Sequence, residues 1–150
     1  FLVKKHVIKD NKVVDLGCGS GILGLVALKI GAYHCFSIDV EEESVLASKK
    51  NAKDSELSKG IEIEKQDLIK NLDINLSPDL VIANLNSFLF REGLVNISNI
   101  VLPKKKIIAS GILVENLEEI ESIFSSFNFK IIERVKSGDW AAIVAQKNNE

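Results

Sequence analysis

Residues Val13 to Gly21 read Val-Val-Asp-Leu-Gly-Cys-Gly-Ser-Gly, and no other stretch limits the possible fold so tightly. Two β-branched residues lead into an acid, and three glycines follow at alternating positions. β-Branched residues suit a strand. Glycine lacks a Cβ, tolerates φ > 0 and lets bare backbone approach a ligand. The next residues, Ile22-Leu23-Gly24-Leu25-Val26-Ala27-Leu28-Lys29-Ile30, read as a helix stopped by Gly31. A strand, a glycine turn and a helix N-terminus in succession aim unpaired N–H groups at one point in space.

The spacing narrows the ligand. The dinucleotide fingerprint is G-x-G-x-x-G. Gly17 and Gly19 fit it, but Ile22 stands where the third glycine belongs and Gly21 falls one place early. Asp15, two residues before Gly17, is a poor neighbour for a pyrophosphate and suits a ligand that carries an amino group or another cation. Asp-x-Gly-x-Gly-x-Gly resembles the first motif of the class I S-adenosylmethionine-dependent methyltransferases. A turn that binds nothing would need the glycines but not the acid.

The rest of the chain alternates short apolar runs with amphipathic ones. Strands are expected over 12–16, 34–38, 61–65, 79–83 and 106–109, and helices over 22–30, 41–54, within 85–102, and over 115–127. Acids lie in the first turn of 41–54 and lysines near its end, which suits the helix dipole. There Val45, Leu46 and Ala52 offer an apolar stripe. Ile61-Glu-Ile-Glu alternates, the mark of a strand near a sheet edge. Segments 131–135 and 140–145 flank Lys136-Ser137-Gly138-Asp139, a hairpin signature. Five strand–helix repeats and a closing hairpin predict an α/β fold, mostly parallel, with helices on both faces. A seven-stranded sheet ending in an antiparallel hairpin is similar to the Rossmann-like class I methyltransferase fold, whose strand order is 3-2-1-4-5-7-6.

The chain's 150 residues fit one domain. A net charge of −2 lacks the basic footprint of a nucleic-acid binder. No apolar run reaches the roughly 18 residues of a membrane span, and residues 1–8 lack the apolar region of a signal peptide. Cys18 and Cys35 have no metal spacing, so no metal site is expected and a reduced, cytoplasmic setting is the economical reading.

Asp39 ends the second strand, where a carboxylate can accept both ribose hydroxyls, as in dinucleotide folds; it could equally cap the following helix. Val40 follows it. After the third strand come Gln66, Asp67 and Leu68. The class I resemblance implies that Asp67 accepts from an adenine amino group and that the next N–H meets the ring, while the plainer reading is a turn acid. Within the same resemblance, Asp15 would act on the methionine end of S-adenosylmethionine. Gly17, Cys18, Gly19 and Gly21 would form the turn beneath it, with Cys18 a small packing residue. Asn84 and Leu85 follow the fourth strand, where the resemblance implies substrate-orienting groups, with Asn84 contacting the cofactor as well. Asn has no useful pKa, so it would position an amine rather than deprotonate it. His6 and His34 are weak catalytic candidates, Lys104-Lys105-Lys106 reads as a solvated run, and Trp140 is expected to fill the core or cap the hairpin.

Asp-Leu-Gly-Cys-Gly-Ser-Gly-Ile-Leu, Ile-Asp-Val-Glu, Val-Ile-Ala-Asn-Leu, Ser-Gly-Ile-Leu and the closing Gly-Asp-Trp-Ala-Ala-Ile-Val-Ala-Gln-Lys together resemble one family. It is the methyltransferase that modifies protein eleven of the large ribosomal subunit. The resemblance covers residues 12–147 and implies methylation of lysine side chains and an α-amino group. It implies a protein substrate, a ribosomal one among the possibilities, and no membrane. The family also carries an N-terminal recognition domain and a Gly/Thr/His-rich segment before the first strand. Neither has a signature in residues 1–10, so residues 1–150 are expected to be a catalytic domain alone. Nitrogen methylation of RNA or DNA is the other enzymatic reading, although no aromatic directly follows Asn84-Leu85-Asn86-Ser87. A cofactor-binding core without turnover is the third.

Overall fold

The computed structural model describes residues 1–149. Its sheet contains β1 (Lys12–Leu16), β2 (His34–Asp39), β3 (Ile61–Lys65), β4 (Leu80–Asn84), β5 (Lys106–Leu113), β6 (Phe129–Ser137) and β7 (Trp140–Lys147). Among the described residues the helices are α1 (Leu2–His6), α2 (Ile22–Lys29), α3 (Glu42–Asp54), α4 (Ser87–Ile100) and α5 (Leu117–Ser126). The strand order is β3-β2-β1-β4-β5-β7-β6. All pairs from β3 to β5 are parallel, and β7 runs antiparallel to both β5 and β6. From β1 the chain winds outward in one direction through β2 and β3, then in the other through β4 and β5. Open α/β sheets bind ligands at the strands' carboxyl ends at such a reversal.

Period-two alternation assigns the two faces. Val14 and Leu16 of β1, with Val81, Ala83, Ile107 and Ile143, meet Phe90, Leu94 and Ile97 of α4 and Ile120 and Phe124 of α5. The three residues of α4 lie one turn apart, so a single stripe of the helix is buried. Phe124 sits between Phe90 and Phe129, with ring centroids 5.8 and 5.5 Å away. The opposite face puts Val13, Ile82, Ile108 and Val144 against Leu25 and Ala27 of α2, Val45 and Ala52 of α3, and Leu2 and Val3 of α1.

At the amino edge, the Lys147 ammonium lies 3.0 Å from the Phe127 carbonyl, 3.4 Å from that of Ser98 and 4.6 Å from the centre of the Phe129 ring. It thus meets the carboxyl ends of α4 and α5 together, a favourable place for a cation. Burial holds its pKa below the usual lysine value.

Several expectations need correction. Residues 66–79 between β3 and β4 contain no helix, so there are four strand–helix units and not five. Leu72, Ile74 and Leu76 alternate with polar residues and pack on the core as an extended ribbon. Such a period suits an extended chain and gives a helix no continuous apolar face. Leu46 is exposed, because Val45, Ser48 and Ala52 are the residues of α3 that are buried. Trp140 is 55% exposed, since it stands at the first position of β7, opposite Leu113 at the carboxyl end of β5. β5 continues through Gly111 with an irregularity after Ala109, and β6 starts at Phe129. The short helix α1 had no signal in the sequence. Leu2 and Val3 bury it, and Lys5 and His6 bind the two carboxylate oxygens of Glu133 at 2.7 and 2.8 Å.

Candidate active site

Both loops that flank the reversal open on the carboxyl edge. Gly17 ends β1 with φ +68°, and a Cβ there would come within 2.5 Å of Leu85 Cδ2. Only glycine both accepts that dihedral and lets the two loops close on each other. The turn is then tied to β2. Cys18 N–H donates to the Ile38 carbonyl at 2.9 Å, and Gly19 N–H donates to Asp39 Oδ2 at 2.8 Å. Asp39 Oδ1 accepts from Glu41 N–H at 3.0 Å. Asp39 therefore fastens the turn to the strand. The residue that caps α3 is Glu41 and not Asp39. On the other side, Asn51 of α3 donates to the Ser20 carbonyl at 2.9 Å.

A cleft of about 270 Å³ lies in front of this turn. Gly17, Asp39, Val40, Gln66, Asp67, Leu68, Asn84 and Leu85 line it, so most of the residues singled out in the sequence converge. Cys18, Gly19 and Gly21 back the turn without lining the cleft. Burial pushes the Cys18 thiol up to about 12, which leaves it protonated and inert at neutral pH.

Asp15 is placed differently from the sequence expectation. It is 1% exposed, points to the α2 side of the sheet and lines neither this cleft nor its neighbour. Its Oδ2 accepts from Gly24 N–H at 3.0 Å, and its Oδ1 has no hydrogen-bond partner. Burial pushes its pKa up to about 7, the Gly24 bond opposes this and the Asp39 charge adds to it. Asp67 opens a turn in which Oδ1 accepts from Ile69 N–H at 3.0 Å and Lys70 stands 3.4 Å from Oδ2. The Ile69 bond, more than any other contact, keeps this carboxyl below its usual range. Asp67 is thus a turn acid, and it also faces the cleft.

A second, more open cavity of about 490 Å³ adjoins the first. Asn84, Leu85, Asn86, Gly111 and Trp140 line it, and residues 84–86 form the wall common to both. Asn84 Oδ1 accepts from Ser110 Oγ at 3.1 Å, which fixes the orientation of the amide. Asn86 caps α4 by accepting from Leu89 N–H at 2.9 Å. Sequence reasoning missed Ser110, Asn86 and Leu89 as site residues. Ser110 faces Asn84 in the β4–β5 register, so its signal exists only once those strands are paired.

The smaller cleft offers glycine backbone, a carboxylate at the end of each of β2 and β3, and apolar surface from Leu68 and Leu85. Nucleosides are bound by such mixtures of apolar walls and few polar groups.

A family profile for ribosomal protein L11 methyltransferase (PrmA) matches residues 2–148. The ribosomal protein L11 methyltransferase of Dictyoglomus turgidum is 32% identical over 148 residues, covering 99% of this chain and 48% of that protein. That of Thermotoga neapolitana is 28% identical over 148 residues, covering 99% of this chain and 54% of that protein. The chain spans about half the length of the curated relatives it matches. Among solved structures, the ribosomal protein L11 methylase of Lactobacillus delbrueckii subsp. bulgaricus superposes with a TM-score of 0.90 at 26% identity, covering 98% of this chain and 75% of that one. A SAM-dependent O-methyltransferase of Thermotoga maritima shares the fold at 15% identity, with a TM-score of 0.86 over 100% of this chain and 64% of that one. The strand order and closing hairpin are those of the Rossmann-like class I methyltransferase fold, as the sequence predicts.

Proposed function

The chain belongs to the ribosomal protein L11 methyltransferase (PrmA) family, and from this we propose that residues 1–150 form one catalytic domain that moves a methyl group from S-adenosylmethionine to an amine nitrogen of a protein. The observation that carries this reading is the meeting of two cavities at residues 84–86. The smaller holds the nucleoside. Asp39 faces the ribose hydroxyls with the lone pairs its two backbone bonds leave free. Asp67 and the Leu68 N–H meet the adenine edge, and Leu85 and Val40 supply apolar contact. Asp15 acts from behind the turn, by holding Gly24 N–H.

Bound S-adenosylmethionine supplies a methyl group on a sulfonium, already activated for transfer. The chain's own residues then have a positioning task. Asn84 Oδ1, fixed by Ser110, accepts from the incoming amine and aims its lone pair across the shared wall. Neither group is a base, so the amine has to arrive neutral. The exposed ring of Trp140 offers a flat wall for an aliphatic stem and a face for a cation. A ribosomal protein, L11 foremost, in a cytoplasmic setting is the substrate this family membership favours.

The test combines calorimetry with S-adenosylhomocysteine and transfer of labelled methyl to purified protein L11. The parent chain should bind S-adenosylhomocysteine, and Asn84→Ala should lose far more in transfer than in that affinity. Failure of the parent to bind would sink the cofactor reading. Label on ribosomal RNA with none on protein would replace the amine by a base. Binding with no transfer to either would reduce the chain to a binding core.

A further inference from the structure

The β3–β4 connection is the one crossover of the parallel sheet built without a helix, yet it supplies a wall of the smaller cleft through residues 66–68. An irregular loop can hold a ligand only if something else fixes its shape. Part of the fixing is local. Gln66 applies both ends of its amide to one residue: Nε2 donates to the Asp73 carbonyl at 2.8 Å, and Oε1 accepts from Asp73 N–H at 3.0 Å. It replaces the partner that a neighbouring strand would provide, so its amide is already committed to the loop.

The rest comes from α4. Asn96 Nδ2 donates to two successive carbonyls, Leu68 at 2.8 Å and Ile69 at 3.0 Å. One turn earlier stands Gly93, where a Cβ would lie 2.9 Å from Leu68 Cγ, so the helix runs directly against the loop. Asn and Gly are both poor helix formers in a helix interior. Two breaches of local preference on one helix, both directed at the same residue of the same loop, mark a functional constraint.

We propose that Asn96 is a positioning residue for the nucleoside side of the cleft. It touches no ligand. By holding the Leu68 and Ile69 carbonyls, it fixes the Leu68–Ile69 peptide, whose N–H donates to Asp67 Oδ1, and so sets the turn from which the Asp67 carboxylate and the Leu68 N–H face one ligand edge. This rests on the cofactor reading above, and it adds that adenine affinity is set from α4, across 28 residues of sequence.

The test uses the full chain with Asn96→Ala and Asn96→Asp. The second keeps the size of the side chain but turns an acceptor toward both carbonyls. Amide exchange is measured without ligand, and affinity is measured for adenosine and for S-adenosylhomocysteine. Exchange at residues 69–71 should rise while the sheet stays protected. Both affinities should fall together by about tenfold, the size expected for lost hydrogen bonds at a fixed site. Unchanged exchange at 69–71 in both variants would overturn the proposal. So would faster loop exchange with parental adenosine affinity, or a uniform rise in exchange with a lowered melting midpoint, which would make Asn96 merely structural. A parent chain that binds neither probe would defeat the cofactor reading itself, and this assignment with it.

Discussion

The two faces of the sheet are built on different terms. The centre of the α4–α5 face is apolar, with Phe124 tilted against Phe90 and edge-to-face with Phe129. Behind the glycine turn, the α2–α3 face is lined by small polar groups: Asp15, Cys35, Ser37 and Ser48, all buried. Gly24 of α2 lies over three of them; a Cβ there would meet Cys35 Sγ at 2.8 Å, Ser37 Oγ at 3.1 Å and Asp15 Oδ2 at 3.3 Å. The two buried side-chain atoms found without a partner among the described residues, Asp15 Oδ1 and Ser48 Oγ, belong to this face. One face supplies stability; the other gives some of it up to hold the turn in place. Buried polar groups without partners are costly, and such strain gathers at functional sites.

Three changes would break or sharpen that contrast. The largest effect belongs to Phe124→Ala, which empties the centre of the aromatic layer. It should lose about 3–5 kcal/mol in urea denaturation, with S-adenosylhomocysteine affinity unchanged in the folded fraction. A loss under about 1 kcal/mol would mean that this face is not where the stability lies.

Next comes Asp15→Asn. The native carboxyl titrates near 7 and the unfolded one near its ordinary value. Between these values the unfolded chain releases its proton first, so this residue's contribution makes the parent less stable as pH rises, and the penalty is complete above about 7. The variant should lack this contribution and gain on the parent by a few kcal/mol on going from about pH 4.5 to about pH 8. An unchanged difference between the two proteins across that window would show that Asp15 is not held protonated.

The smallest effect is also expected to be a gain. Ser48→Ala removes a buried hydroxyl without a partner and should be neutral or stabilising by up to about 1 kcal/mol. A clear loss would reveal a partner for that hydroxyl.

Periodicity carried most of the fold, because β1, β2, β4 and β5 are short, largely apolar runs between turns and α4 and α5 have one clear stripe each. It failed over 72–76, where Leu, Ile and Leu alternate with Asp and Asn in a ribbon that joins no strand of the sheet. It failed again at Trp140, whose bulk suggests burial; only the β5–β7 register shows that it stands at the sheet's edge. In the site, Asp39, Asp67 and Asn84 were legible because strand ends can be counted. The side of the sheet taken by Asp15 was available too, since Val14 and Leu16 face the other way. What no local pattern held were pairs made by folding: Ser110 with Asn84, and Asn96 with Leu68.

The closing hairpin has its strands in an unusual order of arrival. β6 is made first, yet its sheet neighbour is β7, which lies between it and β5. A chain synthesised in order must leave the free edge of β5 open and β6 unattached until 140–147 have been made. The walls of the smaller cleft, residues 17–89, are complete long before that. The second cavity is not, because Trp140 opens the strand that arrives last. The smaller cleft can therefore take shape on a growing chain, while the second cavity waits for a strand to slide into a gap between two older ones.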